Sequence, residues 1–306
     1  MRLFTVIAAL FFSGSICAAP IHNFVVFGDS LSDNGNLYEL MHHQLPQSPP
    51  YFQGRFSNGP VWIELLADHY FHEPIIGLLD YAIGGAGVSE DPDAGELLTL
   101  TKELNNYFDE NQDTARADSL YIVWIGANNY LGVPEDADTA LHDVNVGITH
   151  GLETLVEKGA KHILVINLPD LGHSPAAVEF NAVEAYSYFS KQHNLLLDAS
   201  FAQLKQEYPQ VDWLFFDMQS VFQDAVEHPA NYGFTNITDS CYNSTSNGQS
   251  NPVSLQIAAE IKAKPYADAC DGFMFFDLVH PTMIAHKILA DKVQVMLDAA
   301  DLEIGD

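Results

Sequence analysis

Five short apolar runs punctuate the chain: Phe24-Val25-Val26-Phe27, Leu78 to Ile83, Leu120 to Ile125, Ile163 to Leu168 and Trp213 to Phe216. None shows the strict alternation of a half-exposed strand, so each predicts a strand buried on both faces. The segments between them carry helical patterns. Pro60 suits the first turn of a helix through Val61-Trp62-Ile63-Glu64-Leu65-Leu66, and Gly159 stands where a glycine stop belongs after Leu152, Leu155 and Val156. Ala176 to Tyr208 is helical in composition and closed by Pro209, and Ala285, Leu289, Val293 and Met296 recur on one face of a terminal helix. Strands alternating with helices predict an α/β fold, a parallel sheet covered on both sides.

No internal repeat or Gly/Ser linker divides the sequence, so one domain over residues 20–306 is expected. The stretch from Tyr232 to Asp271 departs from the alternation. It holds Cys241, a polar run from Asn243 to Asn251 and a short helix-like piece around Ile257 to Ile261, and reads as an insertion, a lid or surface excursion. At the N-terminus, Arg2, the apolar Leu3 to Phe12 and the small residues Cys17-Ala18-Ala19 have the layout of an export signal covering residues 1–19. A lipid anchor at Cys17 would want a small residue before the cysteine and finds Ile16. The expected product is therefore secreted, with no stable membrane insertion. Loss of Cys17 with the signal leaves Cys241 and Cys270, an even pair in an oxidising compartment, for which a disulfide is the default.

Composition narrows the partners. Lys and Arg total 12 against 41 Asp and Glu, a formal charge of -29 that repels polyphosphates, so nucleic acid is an unsuitable ligand. His42-His43 and the pair His142 and His150 match no zinc spacing, and no metal or organic cofactor is expected. The aromatic cluster Trp213, Phe215 and Phe216 reads as strand core, and Glu90-Asp91-Pro92-Asp93 as a solvated turn.

In doubly wound sheets ligands bind beyond the carboxyl ends of the strands, and there the chain places its chemistry. Gly28-Asp29-Ser30-Leu31-Ser32-Asp33 follows the first run, Gly84-Gly85-Ala86-Gly87 the second and Gly126-Ala127-Asn128-Asn129 the third, while Asp277-Leu278-Val279-His280-Pro281 precedes the last helix. A serine attacks an ester carbonyl only if a base takes its proton and donors stabilise the oxyanion. Ser30 is the candidate nucleophile, His280 its base, and Asp277, three residues earlier, the group that orients the ring. The backbone N–H groups of Ser30 and Gly85 and the side-chain amide of Asn128 are the candidate oxyanion hole. The α/β-hydrolase elbow G-x-S-x-G is excluded, because Ser32 occupies the second glycine position. Singly each signal has a bland reading: a helix cap for the serine, a tight turn for the glycines, chance for Asp-x-x-His. Their order at successive strand ends is what carries weight.

On these four blocks the sequence resembles the SGNH, or GDSL, hydrolases. The likeness matches Ser30, Gly85, Asn128 and His280 to the namesake positions, with Asp277 completing a triad. It implies a three-layer, flavodoxin-like sandwich with a five-stranded parallel sheet in the order 2-1-3-4-5. Two positions depart from the pattern: Asp80 where the glycine block usually opens with Asn, and Asn129 where the third block usually ends in Asp. Gly54 to Trp62 and Asn231 to Asn236 look like the branch of secreted phospholipases A, lysophospholipases and glycerophospholipid-cholesterol acyltransferases. That likeness implies a lysophospholipid or related lipid ester as substrate, a sterol as an alternative acyl acceptor, and a disulfide-enclosed loop whose cutting by a protease raises activity. A short-chain or carbohydrate esterase is the rival enzyme, and an inactive binding module the rival outside catalysis.

Overall fold

The computed structural model describes residues 20–88, 99–242, 270–300 and 302–305. The export signal, the acidic turn at 90–93, the polar run at 243–251 and the helix-like piece at 257–261 lie outside them. In chain order the elements are β1 (Asn23–Gly28), α1 (Asn36–Leu40), α2 (Trp62–Tyr70), α3 (Pro74–Gly77), β2 (Leu78–Asp80), α4 (Leu100–Glu110), β3 (Ser119–Trp124), α5 (Ala137–Glu157) and β4 (His162–Ile166). They continue with α6 (Pro175–Glu179), α7 (Val183–Glu207), β5 (Asp212–Phe216), α8 (Met218–Glu227), β6 (Asn236–Ser240), β7 (Phe273–Phe275) and α9 (Met283–Asp298).

The first five strands form one parallel sheet in the order β2-β1-β3-β4-β5, the doubly wound arrangement whose switch point lies between β1 and β3. Helix α2 packs against α9, while α5 packs against both α4 and α7, so the two groups cover the two faces. The three inner strands are buried throughout. Phe24, Val25, Val26 and Phe27 are completely enclosed, each side chain contributing about 1.5–3 kcal/mol of apolar burial. The outer strands β2 and β5 are only partly buried, against the expectation of burial on both faces, because each has a neighbour on one side only.

Local chemistry moves several predicted boundaries. The run Leu78 to Ile83 is regular strand only as far as Asp80, whose carboxylate accepts the Ala82 N–H at 3.0 Å and turns the chain. Pro60 falls outside the helix it was expected to open, since Val61 is the N-cap of α2. The helical stretch after Ala176 is two helices, separated where Asn181 adopts a left-handed φ of 54°. Gly159 does end α5: its N–H donates to the Val156 carbonyl and that of Ala160 to Leu155, the paired bonds of a Schellman stop.

Only the ends of the Tyr232–Asp271 stretch, residues 232–242 and 270–271, lie among the described residues. β6 pairs with β7 in a separate two-stranded sheet, Phe234 and Tyr242 are buried, and Cys241 is disulfide-bonded to Cys270 with 5.2 Å between the α-carbons. The Tyr242 ring stacks on Phe276, the residue before Asp277, so the bridge is tied to the loop that carries Asp277 and His280.

Candidate active site

The turn after β1 is folded by its own aspartate. Asp29 accepts the Leu31 N–H at 3.0 Å through its side chain, and its carbonyl accepts the N–H groups of Ser32 and Asp33, so Ser30 stands at the apex of a tight turn. Across the molecule, the loop ahead of α9 is folded by Asp277 in the same way. One oxygen, Oδ1, accepts the backbone N–H groups of Val279 at 2.9 Å and His280 at 2.7 Å. The other, Oδ2, lies 2.7 Å from His280 Nδ1 and accepts the Tyr51 hydroxyl at 2.6 Å. His280 Nε2 is 2.8 Å from Ser30 Oγ. Residues 250 apart in sequence thereby form one continuous hydroxyl–imidazole–carboxylate relay, and all its members are buried. Burial by itself would raise the Asp277 carboxyl, but the His280 ring, the Tyr51 hydroxyl and the Val279 N–H outweigh it and hold the group below the ordinary carboxylate value. It is therefore an anion at neutral pH, suited to stabilising an imidazolium beside it.

The blocks around this relay brace it. The Phe56 ring lies 4.9 Å from the His280 ring and occupies the space that a side chain at Gly84 would need. Ser57 Oγ donates to the Pro281 carbonyl and the Met283 N–H donates to Asn58 Oδ1, fixing the chain between His280 and α9. Gly85 sits at the third position of a turn closed by the Ala86 N–H on the Ile83 carbonyl, with φ of 83°, the geometry that a type II turn reserves for glycine. Asn128, in the short helical turn after β3, donates from its side-chain amide to the Ala86 carbonyl and so links the second and third blocks.

A small pocket of about 50 Å³ opens on the relay, lined by Asp29, Ser30, Asn128 and His280 on its polar side and by Leu31, Leu131, Leu171 and Val279 on its apolar side. The structure thus brings Ser30, His280 and Asp277 into direct contact and Asn128 into the same pocket. Gly85 is next to the Ala86 carbonyl that Asn128 holds but does not line the pocket wall. Beyond the collar formed by Leu31, Leu171, Ser174 and Val279, which line both spaces, lies an apolar cavity of about 100 Å³. Its walls come from Trp124, from Met218, Val221 and Ala225 of α8, from Phe234, Met274 and Phe275, and from Ile288 and Leu289 of α9. An acyl ester whose carbonyl met Ser30 would find apolar surface for its chain there.

Two supporting residues escaped the sequence reading. Tyr51 gives no sign of its role, since 226 positions separate it from its carboxylate partner. Glu103 does leave a trace. It is the acidic residue among Leu100, Leu104, Tyr107 and Phe108 on the buried face of α4, and it is wholly enclosed. Its two oxygens accept the Gly28 N–H at 2.9 Å and the Ile83 N–H at 3.2 Å, tying the strand end before Ser30 to the strand end before Gly85. Asp33 reinforces this by accepting the Gly84 N–H at 2.7 Å while capping α1. Asp80, the departure from the usual Asn, accepts the Asn34 N–H at 3.0 Å, and Asn129 accepts the Val88 N–H at 2.9 Å, so both altered positions hold backbone in place. Burial pushes Asp29 and Asp33 up to about 6, and Asp80 and Glu103 well above the ordinary carboxylate value.

Known proteins resemble the chain over most of its length. The chain is 33% identical over 308 residues to the phosphatidylcholine-sterol acyltransferase of Aeromonas hydrophila, covering 90% of each chain. It is 30% identical to the secreted effector protein SseJ of Salmonella typhimurium and 27% identical to the thermolabile hemolysin of Vibrio parahaemolyticus, spanning 64% and 63% of their lengths. The family model for GDSL-like lipases and acylhydrolases matches residues 24–293, which takes in all four blocks and every member of the relay. The chain belongs to the GDSL-like lipase/acylhydrolase family.

Proposed function

We propose that this GDSL acylhydrolase is a secreted lysophospholipase or phospholipase A that works through an acyl-enzyme on Ser30. The observation that carries the reading is the relay of 2.8 and 2.7 Å contacts from Ser30 through His280 to Asp277, at the edge of an apolar cavity. Ser30 Oγ forms a bond to the ester carbonyl carbon as its proton passes to His280 Nε2, and the negative charge gathers on the former carbonyl oxygen. The N–H groups of Ser30 and Gly85 and the Asn128 amide are the donors assigned to that oxygen. Collapse breaks the bond to the glycerol oxygen, which leaves with the proton from His280. A water molecule then repeats the attack on the acyl-enzyme, giving free fatty acid and restoring Ser30. Export to an oxidising compartment accords with the Cys241–Cys270 bridge and with the relative named as a secreted effector.

Asn128→Ala is expected to lower kcat by ~10²–10³-fold with a smaller change in KM, because the oxyanion exists only in the transition state. Steady-state kinetics on a soluble ester check this, and an effect confined to KM would make Asn128 a ground-state binding residue instead.

A second reading has an observation in its favour: the relative that matches over 90% of both chains is named a sterol acyltransferase. The two differ only in which acceptor reaches the acyl-enzyme. Purified mature protein is incubated with lysophosphatidylcholine, with and without cholesterol, and free fatty acid and sterol ester are quantified. Fatty acid as the main product in both arms supports the hydrolase. Sterol ester displacing fatty acid when cholesterol is present assigns the transferase, and no release in either arm overturns the lipid substrate.

A further inference from the structure

Helix α8 presents two chemically distinct faces, and one residue stands at their border. Met218, Val221 and Ala225, at helical spacings of three and four, face the apolar cavity beyond the Ser30 pocket. Gln219, Gln223, Val226 and Glu227, one step round the helix, face a second cavity of about 220 Å³ that also holds Asp170 and His173. Phe222 lines both. Its ring is 6.4 Å from that of Phe275 on the apolar side and 6.1 Å from that of His173 on the polar side. Three spaces therefore lie in series: the catalytic pocket, the apolar cavity and the polar cavity. The collar of Leu31, Leu171, Ser174 and Val279 joins the first pair, and Phe222 stands between the second pair with Asp170.

We infer that Phe222 is the specificity-determining residue that sets the length of acyl chain the enzyme accepts, acting as the end wall of the chain's cavity. The inference rests on the reading that Ser30 takes the acyl group. A chain whose carbonyl carbon lies at Ser30 Oγ passes the collar and runs toward Phe222. Methylenes that stop short of the ring gain apolar burial. A longer chain must displace the ring or push into a space walled by Gln219, Gln223, Glu227 and Asp170, where it strips water from polar groups without replacing their hydrogen bonds. The boundary is abrupt because the wall is a single aromatic side chain on a helix.

Two substitutions test this in opposite directions. Phe222→Ala removes the wall and leaves the volume of the ring itself, short of the polar side chains beyond it, for further methylenes. Ala225→Leu adds bulk within the apolar cavity, one helical turn from Phe222. The readout is the profile of kcat/KM across a series of p-nitrophenyl esters from butyryl to stearoyl. Phe222→Ala is expected to raise the ratio of stearoyl to butyryl turnover by about tenfold, the lower end of what one methylene is worth in an apolar pocket. Ala225→Leu is expected to lower the same ratio. If both variants hydrolyse the series with the wild-type profile, the end-wall role is overturned while the Ser30 reading stands. If the wild-type protein hydrolyses no ester in the series, or Ser30→Ala hydrolyses them as well as wild type, it is the underlying reading that fails.

Discussion

Ser30→Ala is expected to reduce ester turnover by about 10⁴–10⁶-fold while leaving the fold in place. The substitution deletes one oxygen from the apex of a turn whose shape is set elsewhere: by the Asp29 side chain on the Leu31 N–H and the Asp29 carbonyl on the N–H groups of Ser32 and Asp33. The stability cost is the single contact with His280 Nε2, worth about 0.5–1.5 kcal/mol, so the melting temperature should move by only a few degrees. What disappears is the atom proposed to form the acyl bond, and the donors assigned to the oxyanion are left with no covalent intermediate to stabilise. Hydrolysis of a p-nitrophenyl ester and labelling by a fluorophosphonate, each measured beside the thermal midpoint, check the two halves together. Turnover within tenfold of wild type in a folded variant would remove Ser30 from the mechanism.

How much of this was legible in the sequence differs from one residue to the next, for physical reasons. Gly28-Asp29-Ser30, Gly84-Gly85 and Gly126-Ala127-Asn128 could be read because a parallel sheet gathers the residues after each strand at one end, so linear position stands in for spatial position. The order of the strands had no such proxy and came from family likeness. Periodicity located the strands but misjudged their edges. Nothing in Leu78 to Ile83 announces that Asp80 will bond the backbone two residues on, and burial at β2 and β5 depends on a neighbour that only the topology assigns. Tyr51 was illegible because its value lies wholly in a tertiary contact. Glu103 was legible in principle, since a carboxylate on the apolar face of α4 needs a partner, but the pattern cannot say that the partners are two backbone N–H groups flanking the site. The collar and the two faces of α8 were equally out of reach, as cavities are what side chains leave between them.

Asp277→Asn should prove almost as damaging as loss of the nucleophile, with kcat falling by ~10⁴-fold and KM little changed. The direction follows from the four hydrogen bonds that the carboxylate accepts. An asparagine keeps one acceptor oxygen and replaces the other with an NH₂ donor. The oxygen has only one comfortable place, facing the N–H groups of Val279 and His280, because an NH₂ there would oppose two fixed backbone donors in a buried loop. The amide nitrogen is therefore driven to the Oδ2 site and donates to His280 Nδ1. That bond holds the ring as the tautomer with its proton on Nε2, the atom that must be bare to receive the proton of Ser30. The variant also loses the negative charge that stabilises the imidazolium, and leaves the Tyr51 hydroxyl to find another acceptor. Geometry is thus preserved while the proton path is reversed, which separates this variant from one that merely unfolds. Steady-state kinetics beside near-UV circular dichroism make the distinction, the expected result being a native spectrum with almost no turnover. A kcat within tenfold of wild type would show that His280 finds its working tautomer without Asp277, and the carboxylate would then be an anchor for the loop rather than part of the relay.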